Sequence, residues 1–330
     1  MAKEKVVAEK LSYEEQLKIL KDSLKPKEKE DIYLSTGSLS LDIALGGKGW
    51  KLGRQASLVA WFGAGKTTLC LETIKQAQDA NLEYAYIDCE HSLDKVYIQN
   101  LGINWEIFEK RLFQPNNGEE AFEIGKTLIE NGCKVLIYDS TSGLLPRKMM
   151  EGEAGESNLG LHARLMSAQV PVIHNKVATN TCLVIYVSQI REKIGVMFGT
   201  PETTQGGHAQ AFFDDYRIEI RKTIEKDNGD KENATGVTSK YKIVKNKVAA
   251  PYKTGEYSIK FGEGIDKIKE IVDTASELDI LYKHGKTIKI NKDLPEEEKY
   301  ELDIFYDLLK TNPEFYTALK NKILTKLGIC

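Results

Sequence analysis

The amino-acid sequence predicts an α/β fold, in which a mostly parallel sheet carries helices on both of its faces. Three apolar runs, each preceded by a stretch with helical spacing, support this prediction; they are residues 83–88, 134–139 and 182–188. Apolar strands that alternate with amphipathic helices are typical of parallel sheets, because crossover helices cover both faces and bury every strand. The corresponding helices are expected at residues 66–79, 119–131 and 159–178.

A short N-terminal helix is expected over residues 11–24, ahead of the α/β core. Ser12 and Glu15 have the spacing of a capping box, and apolar residues recur on one face of the segment. A helix of this length is marginal in water by itself. It must therefore pack on its own core or on a neighbouring subunit, and the residues alone leave both options open. Residues 1–30 are assigned to this helix and its linker.

The pattern changes after Gly207, where alternating apolar and polar residues replace the alternation of strands and helices. Residues 216–221 and 241–247 favour an antiparallel hairpin added to the parallel sheet. The polar stretch 225–239 lies between these two runs and is expected to connect them. The predicted core domain, with the parallel sheet and this hairpin, therefore spans residues 31–265.

A small α+β C-terminal domain is predicted over residues 266–330, where the chain becomes more charged. Helices are expected at 268–281 and 302–309 from their apolar spacing. Asn312-Pro313 favours a third helix start, because asparagine caps helices well and proline suits the first helical position. The basic stretch 283–289 is interpreted either as a solvated hairpin or as a surface that gathers duplex DNA.

Composition and charge exclude several classes of protein. No apolar run of the 330-residue chain approaches the roughly 18–20 residues of a membrane helix, and the charged N-terminus lacks the apolar stretch of a secretion signal. The five cysteines are scattered, as expected for reduced thiols in the cytoplasm. A cytoplasmic protein without a membrane partner is therefore expected. The net charge of −3 gives no sign of nucleic-acid binding by itself.

The segment Ala60–Thr68 has the pattern of a phosphate-binding loop between a strand and a helix. Gly63 and Gly65 allow the backbone to turn its N–H groups toward an anion, and the helix adds its positive N-terminal end. Lys66 is expected to reach the β- and γ-phosphates, and the Thr67 hydroxyl suits Mg²⁺. Alanine stands at position 60, where the motif has its first glycine, so the loop entry is expected to differ slightly. The residues predicted to bind the nucleotide here are Phe62, Gly63, Ala64, Gly65, Lys66, Thr67 and Thr68.

Three polar residues follow the predicted parallel strands at the edge where such sheets bind ligands. Asp139 ends an apolar strand and is expected to complete the Mg²⁺ site with Thr67. Glu90 lies just past another strand, where a carboxylate can deprotonate the attacking water; an ordinary surface carboxylate is the alternative interpretation. Gln189 ends the third strand, where a neutral amide can sense a γ-phosphate by hydrogen bonding.

A long segment over residues 190–207 mixes basic, apolar and glycine residues, which is typical of a functional loop. Arg191 and Lys193 are suited to phosphate groups, and Ile194 is suited to wedge between bases. Gly206-Gly207 can offer backbone N–H groups to a nucleic-acid backbone. This segment is therefore a predicted DNA-binding loop.

Several long motifs make the chain resemble the bacterial RecA recombinase family, from about residue 35 to residue 261. These motifs are STGSLSLDIAL at 35–45, KIGVMFG at 193–199, PETT at 201–204 and VKNKVAAP at 244–251. The resemblance implies a RecA-like P-loop ATPase core and ATP-dependent DNA strand exchange in recombination, repair and the SOS response. It also implies ATP and Mg²⁺ as cofactors, helical filaments of the protein with itself on single-stranded DNA, and pairing with homologous double-stranded DNA. The N-terminal helix is then expected to dock on the adjacent subunit.

The resemblance also assigns roles to matching positions. Asp94 and Tyr97 are implied to contact adenine, and Thr67 and Asp139 to hold the metal. Lys245 and Lys247, which by residue type alone indicate a solvated strand face, are implied to reach the nucleotide of a neighbouring subunit. The implied catalytic residues are Glu90, Lys66, Gln189, Lys245 and Lys247. The implied DNA-binding residues are Leu159, Arg164, Ser167, Arg191, Lys193, Ile194, Val196, Thr203, Gly206 and Gly207.

Two alternative functions remain at this stage. A hexameric RecA-fold helicase shares the ATPase core but forms closed rings. A catalytically weak regulator that binds ATP and partner proteins is favoured by Ala60 and by Glu192, which interrupts the basic run of the DNA loop. Pro171 also stands where the family usually has a basic residue. The sequence ends without the acidic tail of many family members, so duplex DNA is expected to enter with little autoinhibition.

Overall fold

The structure, a computed structural model, describes residues 12–24, 31–151, 160–192, 202–204, 209–226, 234–290 and 299–329. The chain divides into two compact units, residues 1–31 and residues 32–330. The α-helices are α1 (Tyr13–Leu24), α2 (Leu39–Leu45), α3 (Lys66–Asp79), α4 (Lys95–Asn100), α5 (Trp105–Glu109), α6 (Gly118–Glu130), α7 (Arg147–Glu151), α8 (Leu161–Asn180), α9 (Ala209–Phe213), α10 (Lys267–Glu277), α11 (Leu302–Thr311) and α12 (Pro313–Lys326). The strands are β1 (Tyr33–Leu34), β2 (Trp50–Lys51), β3 (Gln55–Ala60), β4 (Tyr84–Asp88), β5 (Leu112–Phe113), β6 (Val135–Asp139), β7 (Leu183–Glu192), β8 (Glu202–Thr204), β9 (Tyr216–Lys226), β10 (Ala234–Asn246), β11 (Thr254–Lys260), β12 (Gly264–Ile265), β13 (Tyr282–His284), β14 (Thr287–Lys289) and β15 (Tyr300–Glu301).

The first unit contains α1, whose start follows from its capping residues. The Ser12 backbone N–H donates to Glu15 Oε2 at 2.8 Å, and the Glu15 N–H donates to Ser12 Oγ at 3.3 Å. This reciprocal pair is the capping box that the sequence predicts, and it satisfies two N–H groups at the helix start.

The second unit is built on one large sheet with the strand order β12-β11-β10-β9-β3-β7-β6-β4-β5. The strands from β9 through β3 to β5 pair in parallel, whereas β9 to β12 pair antiparallel. One apolar cluster includes residues of α3, such as Leu69, and the other includes residues of α6 and α8, such as Phe122 and Met166. Helices therefore cover both faces of the sheet, and the predicted fold class is confirmed.

Three strands, β7, β9 and β10, differ from the prediction. β7 does not end at Ser188 but continues to Glu192, because β8 pairs with it and satisfies its backbone groups, with Arg191 opposite Thr203. The described residues of the expected polar connector 225–239 lie inside strands, residues 225–226 in β9 and residues 234–239 in β10. β10 has β9 on one side and β11 on the other, so pairing on both edges overrides the polar composition.

The C-terminal elements pack around a separate apolar cluster that includes Ile271, Phe305 and Ile323. The start of α12 is as predicted, with Asn312 Oδ1 accepting the Phe315 N–H at 3.0 Å and proline in the first turn. The stretch 283–289 forms the hairpin of β13 and β14. β12 ends at Ile265, and Asp266 caps α10 by accepting the Lys269 N–H; the domain boundary expected at this point stays a prediction. Within the described residues, no helix is long and apolar enough to cross a membrane.

Candidate nucleotide-binding site

The phosphate loop follows β3 directly and leads into α3. Gly63 and Gly65 have φ angles of 65° and 82°, which side chains other than glycine rarely adopt. A Cβ at Gly65 would also lie 2.3 Å from Ile259 Cδ1. Ala60 is the last residue of β3 and is fully buried, paired with Gln189 of β7 and Ile220 of β9. Because the loop turns only after this strand residue, alanine fits there without strain.

Lys66 extends back over the loop that precedes its helix. Its Nζ donates to the carbonyl oxygens of Ala60 and Trp61 at 3.1 and 2.8 Å, and the side chain is buried. Burial lowers the pKa of Lys66, and the nearby carboxylates of Asp139 and Glu90 oppose that shift. An ammonium group is thus held at the mouth of the loop, in the position suited to a phosphate chain.

Two side chains of the antiparallel hairpin support the loop. Lys222 Nζ donates to the Phe62 carbonyl at 2.9 Å and lies 4.5 Å from the centroid of the exposed Phe62 ring. Ser239 Oγ donates to the Ala64 carbonyl at 3.1 Å. Sequence reasoning missed both residues, because they are more than 150 positions from the loop and lie in strands without a local motif.

The structure brings the side chains of Asp139 and Thr67 together. Thr67 Oγ1 donates to Asp139 Oδ2 at 2.7 Å, and the Tyr86 hydroxyl donates to the same oxygen at 2.6 Å. Burial raises the pKa of Asp139, although both hydrogen bonds oppose that shift. A carboxylate and a hydroxyl are oxygen donors of the kind that Mg²⁺ prefers beside nucleotide phosphates, so these residues fit the predicted metal.

Glu90 and Gln189 are also brought together. Gln189 Nε2 donates to Glu90 Oε1 at 2.9 Å, and Ser140 Oγ donates to the same oxygen. The contact joins the ends of β4 and β6 to β7. Because β7 continues past Gln189 into its pairing with β8, the carboxylate is linked directly to the start of the predicted DNA loop.

These groups line one cleft of about 350 Å³ at the carboxyl edge of the parallel strands. The predicted residues that line it are Phe62, Gly63, Ala64, Gly65, Lys66, Thr67, Thr68, Glu90, Tyr97, Asp139 and Gln189. The Tyr97 hydroxyl lies 2.8 Å from Thr68 Oγ1, and Asp94 Oδ1 caps α4 by accepting the Tyr97 N–H at 2.7 Å. The cleft is also lined by Val187, Val237, Ile259, Lys260, Phe261 and Gly262, which sequence reasoning did not assign. The half-exposed ring of Phe261 is the one aromatic side chain among them.

Lys245 and Lys247 are not among the described residues that line this cleft. Both side chains contact oxygen atoms of their own subunit. Lys245 Nζ donates to the carbonyls of Ala211 and Phe212, at the end of α9, at 3.1 and 2.8 Å. Lys247 Nζ lies 3.0 Å from Asp215 Oδ1. Burial lowers the pKa of Lys245.

The predicted DNA-binding residues are described only in part. Arg164 and Ser167 are exposed on α8. Arg191 and Thr203 lie opposite each other in the β7–β8 ladder. The remaining predicted residues, Leu159, Lys193, Ile194, Val196, Gly206 and Gly207, lie outside the described residues.

The chain is also similar to known proteins over most of its length. Residues 14–266 match the family model described as the RecA N-terminal domain. The chain is 40% identical over 299 residues to Protein RecA of Azospirillum lipoferum, covering 90% of this chain and 81% of that protein. It is 41% identical over 297 residues to Protein RecA of Bdellovibrio bacteriovorus (90% and 77% covered), and 39% identical over 310 residues to Protein RecA of Bacillus subtilis (93% and 87% covered). The chain therefore belongs to the RecA family, whose members are DNA-dependent ATPases of recombination and repair.

Proposed function

We propose that this protein is an ATP-dependent DNA strand-exchange recombinase that forms filaments on single-stranded DNA and pairs it with homologous duplex. The observation that carries the proposal is the hydrogen bond between Glu90 and Gln189, which joins the nucleotide cleft to the strand entering the DNA loop. An ATPase whose cleft is tied to a DNA loop in this way can couple nucleotide state to DNA binding.

ATP binds at the loop between β3 and α3. The backbone N–H groups of the loop and the start of α3 bind the phosphates, and Lys66 neutralises part of their charge. Phe261 and Tyr97 lie beside the loop and hold the base by stacking and packing. Asp94 orients Tyr97 through the start of α4.

Thr67 and Asp139, whose oxygens lie within hydrogen-bond distance of each other, would hold Mg²⁺. When bound, the ion neutralises charge on the phosphate oxygens. The Tyr86 hydroxyl fixes the Asp139 carboxylate from the protein side, so the group keeps one orientation.

Hydrolysis uses Glu90 to accept a proton from the attacking water. Ser140 and Gln189 both donate to one of its oxygens, which leaves the other oxygen for that proton. The Gln189 amide exchanges its bond with Glu90 for one with the γ-phosphate, and this exchange shifts β7 and the DNA loop behind it. Lys245 and Lys247 complete the site from the neighbouring subunit in the filament.

DNA lies along Arg164, Ser167 and the loop over residues 190–207. Phosphate contacts by basic residues supply most of the affinity, so binding falls steeply as salt rises. Sequence recognition comes from base pairing between the two DNA molecules. The protein acts in the cytoplasm, where chromosomal DNA and ATP are present together in bacteria.

Strand exchange with three forms of the protein tests this function. The wild type is expected to pair single-stranded DNA with homologous duplex and to hydrolyse ATP faster when DNA is present. Lys66→Ala loses ATP binding and lowers turnover by about 10²–10³-fold, as removal of one electrostatic donor does. Glu90→Gln keeps ATP and DNA binding but turns over at a similarly low rate.

The outcomes separate the three functions. Electron microscopy of the wild type with ATP and single-stranded DNA is expected to show helical filaments. Closed rings without filaments would instead identify a helicase. A folded wild type that binds ATP but pairs no homologous DNA would identify a regulator.

A further inference from the structure

Two buried carboxylates lie at the amino edge of the parallel strands, opposite the cleft and beside Lys245 and Lys247. Asp214 and Asp215 precede β9 and are almost fully buried. Asp214 Oδ1 accepts the Ser57 hydroxyl at 2.6 Å, and Asp215 Oδ2 accepts the Gln55 backbone N–H at 3.0 Å. These bonds anchor both carboxylates to β3, the strand that leads into the phosphate loop.

The carboxylates are surrounded by more positive than negative charge. Lys247 Nζ and Arg54 Nη1 approach the same oxygen, Asp215 Oδ1, at 3.0 and 3.6 Å. Arg217 Nη1 lies 3.3 Å from Asp214 Oδ2. The cations around the two carboxylates are Arg54, Arg217, Lys245 and Lys247. The cluster therefore has a net positive charge and is suited to accept a further anion.

The side chain of Lys247 has room to change its position, whereas the side chain of Asp215 does not. The Lys247 side chain is 43% exposed, whereas that of Asp215 is 2% exposed. The Lys247 backbone N–H donates to the Asp215 carbonyl at 3.0 Å, which fixes the start of the side chain and leaves its four-carbon stem free to turn. If the ammonium leaves, Asp215 keeps Arg54 and the Gln55 N–H, so no buried charge loses all its partners.

We propose that Asp215 is a positioning residue that holds the Lys247 ammonium in its own subunit until the phosphates of a neighbour's nucleotide compete for it. The inference rests on the proposed function, in which Lys247 reaches that nucleotide. A nucleotide carries several negative charges and displaces the single carboxylate. The intrasubunit contact therefore raises the ATP concentration at which filaments assemble.

Opposite effects of two substitutions test this role. Asp215→Asn keeps an acceptor for the Gln55 N–H but removes the negative charge. It is expected to lower the nucleotide concentration needed for half-maximal assembly by about threefold, which is the size of effect typical of a partly exposed ion pair. Arg54→Gln removes the competing cation from Asp215 and is expected to raise that concentration. Assembly is measured by light scattering on single-stranded DNA with a slowly hydrolysed ATP analogue, so that turnover does not contribute.

Lys247→Met separates failure of this inference from failure of the proposed function. It is expected to raise the required nucleotide concentration strongly; if it does not, the role of Lys247 in the filament is wrong. If Lys247→Met has its effect while Asp215→Asn weakens assembly or leaves it unchanged, Asp215 is only structural and the inference is wrong. Thermal unfolding of each variant identifies loss of folding. If Asp215→Asn does not fold, Arg54→Gln carries the test, and an unchanged or lowered nucleotide concentration for a folded Arg54→Gln overturns the inference.

Discussion

The two edges of the large sheet both contain buried carboxylates, but these carboxylates have different partners. At the carboxyl edge, Asp139 accepts hydrogen bonds from two hydroxyl groups, those of Thr67 and Tyr86. At the amino edge, Asp214 and Asp215 contact the cations of Arg217, Arg54 and Lys247. The first edge holds negative charge beside a cleft, and the second holds surplus positive charge.

This difference indicates what each edge is suited to bind. A buried carboxylate with only neutral donors costs free energy until a cation approaches, so it marks a place for a metal ion. A carboxylate that already contacts cationic side chains instead orients those side chains. One subunit therefore presents an edge suited to cations and an edge suited to anions, and the head-to-tail filament proposed above would join the two at each interface.

The largest effect is expected for Asp139→Asn, which keeps an oxygen for the Thr67 and Tyr86 hydroxyls but removes the charge. ATP turnover should fall by about 100-fold or more, because metal-dependent charge neutralisation is lost. Stability should not fall. The pKa of Asp139 is raised in the folded protein, so the wild type loses stability as pH rises through the range between the unfolded and folded pKa values. The asparagine variant lacks that loss.

Asp88→Asn is the matched control for this prediction. Asp88 pairs with Asp139 in the β4–β6 register and is also buried, but its oxygens accept the Glu90 N–H and the Gln114 amide. Turnover and urea unfolding at pH 7 are measured for both variants. Equal loss of turnover in the two variants would show that catalysis requires any buried carboxylate at this edge. The neutral hydrogen-bond donors of Asp139 would then not distinguish it as a metal ligand.

The cleft was largely predictable from the sequence because its residues follow strands in a fixed order. Parallel pairing brings the ends of β4, β6 and β7 to one edge, so Glu90, Asp139 and Gln189 meet once the strands are identified. Lys222, Ser239 and the partners of Lys247 were not predictable, because they depend on the register of the antiparallel strands. The polar composition of β9 and β10 even favoured a loop.

A smaller effect, on stability, is expected for Asp214→Asn at the amino edge. Burial raises the pKa of Asp214 from 3.8 to about 7, although Ser57, Arg217 and Lys245 oppose the shift. The unfolded chain releases this proton near pH 4 and the folded chain near pH 7, so the wild type loses stability as pH rises between these values. Between pH 5 and pH 8 the variant should remove about 2–3 kcal/mol of that loss.

Urea unfolding at pH 5 and pH 8 measures this difference. Glu270, which is buried under α2 and has a pKa also raised to about 7, maintains the rest of the pH dependence. Asp303→Asn, at an exposed position on α11, is the control. It should leave unchanged the difference in unfolding free energy between pH 5 and pH 8. If the unfolding free energy of Asp214→Asn depends on pH as that of the wild type does, the neighbouring cations already offset the full cost of burying the ionised Asp214 carboxylate.

The smallest effect is expected for Ala60→Gly, which restores the glycine of the motif. Ala60 belongs to β3 and not to the turn, and the loop takes its shape from Gly63 and Gly65. ATP turnover should therefore stay within about twofold of wild type, while glycine in a buried strand costs about 0.5–1 kcal/mol of stability. Turnover and thermal unfolding are measured together. A large change in turnover would mean that the end of β3 sets the position of Lys66, whose ammonium donates to the Ala60 carbonyl. Catalysis at the carboxyl edge would then depend on the backbone as much as on the charged side chains.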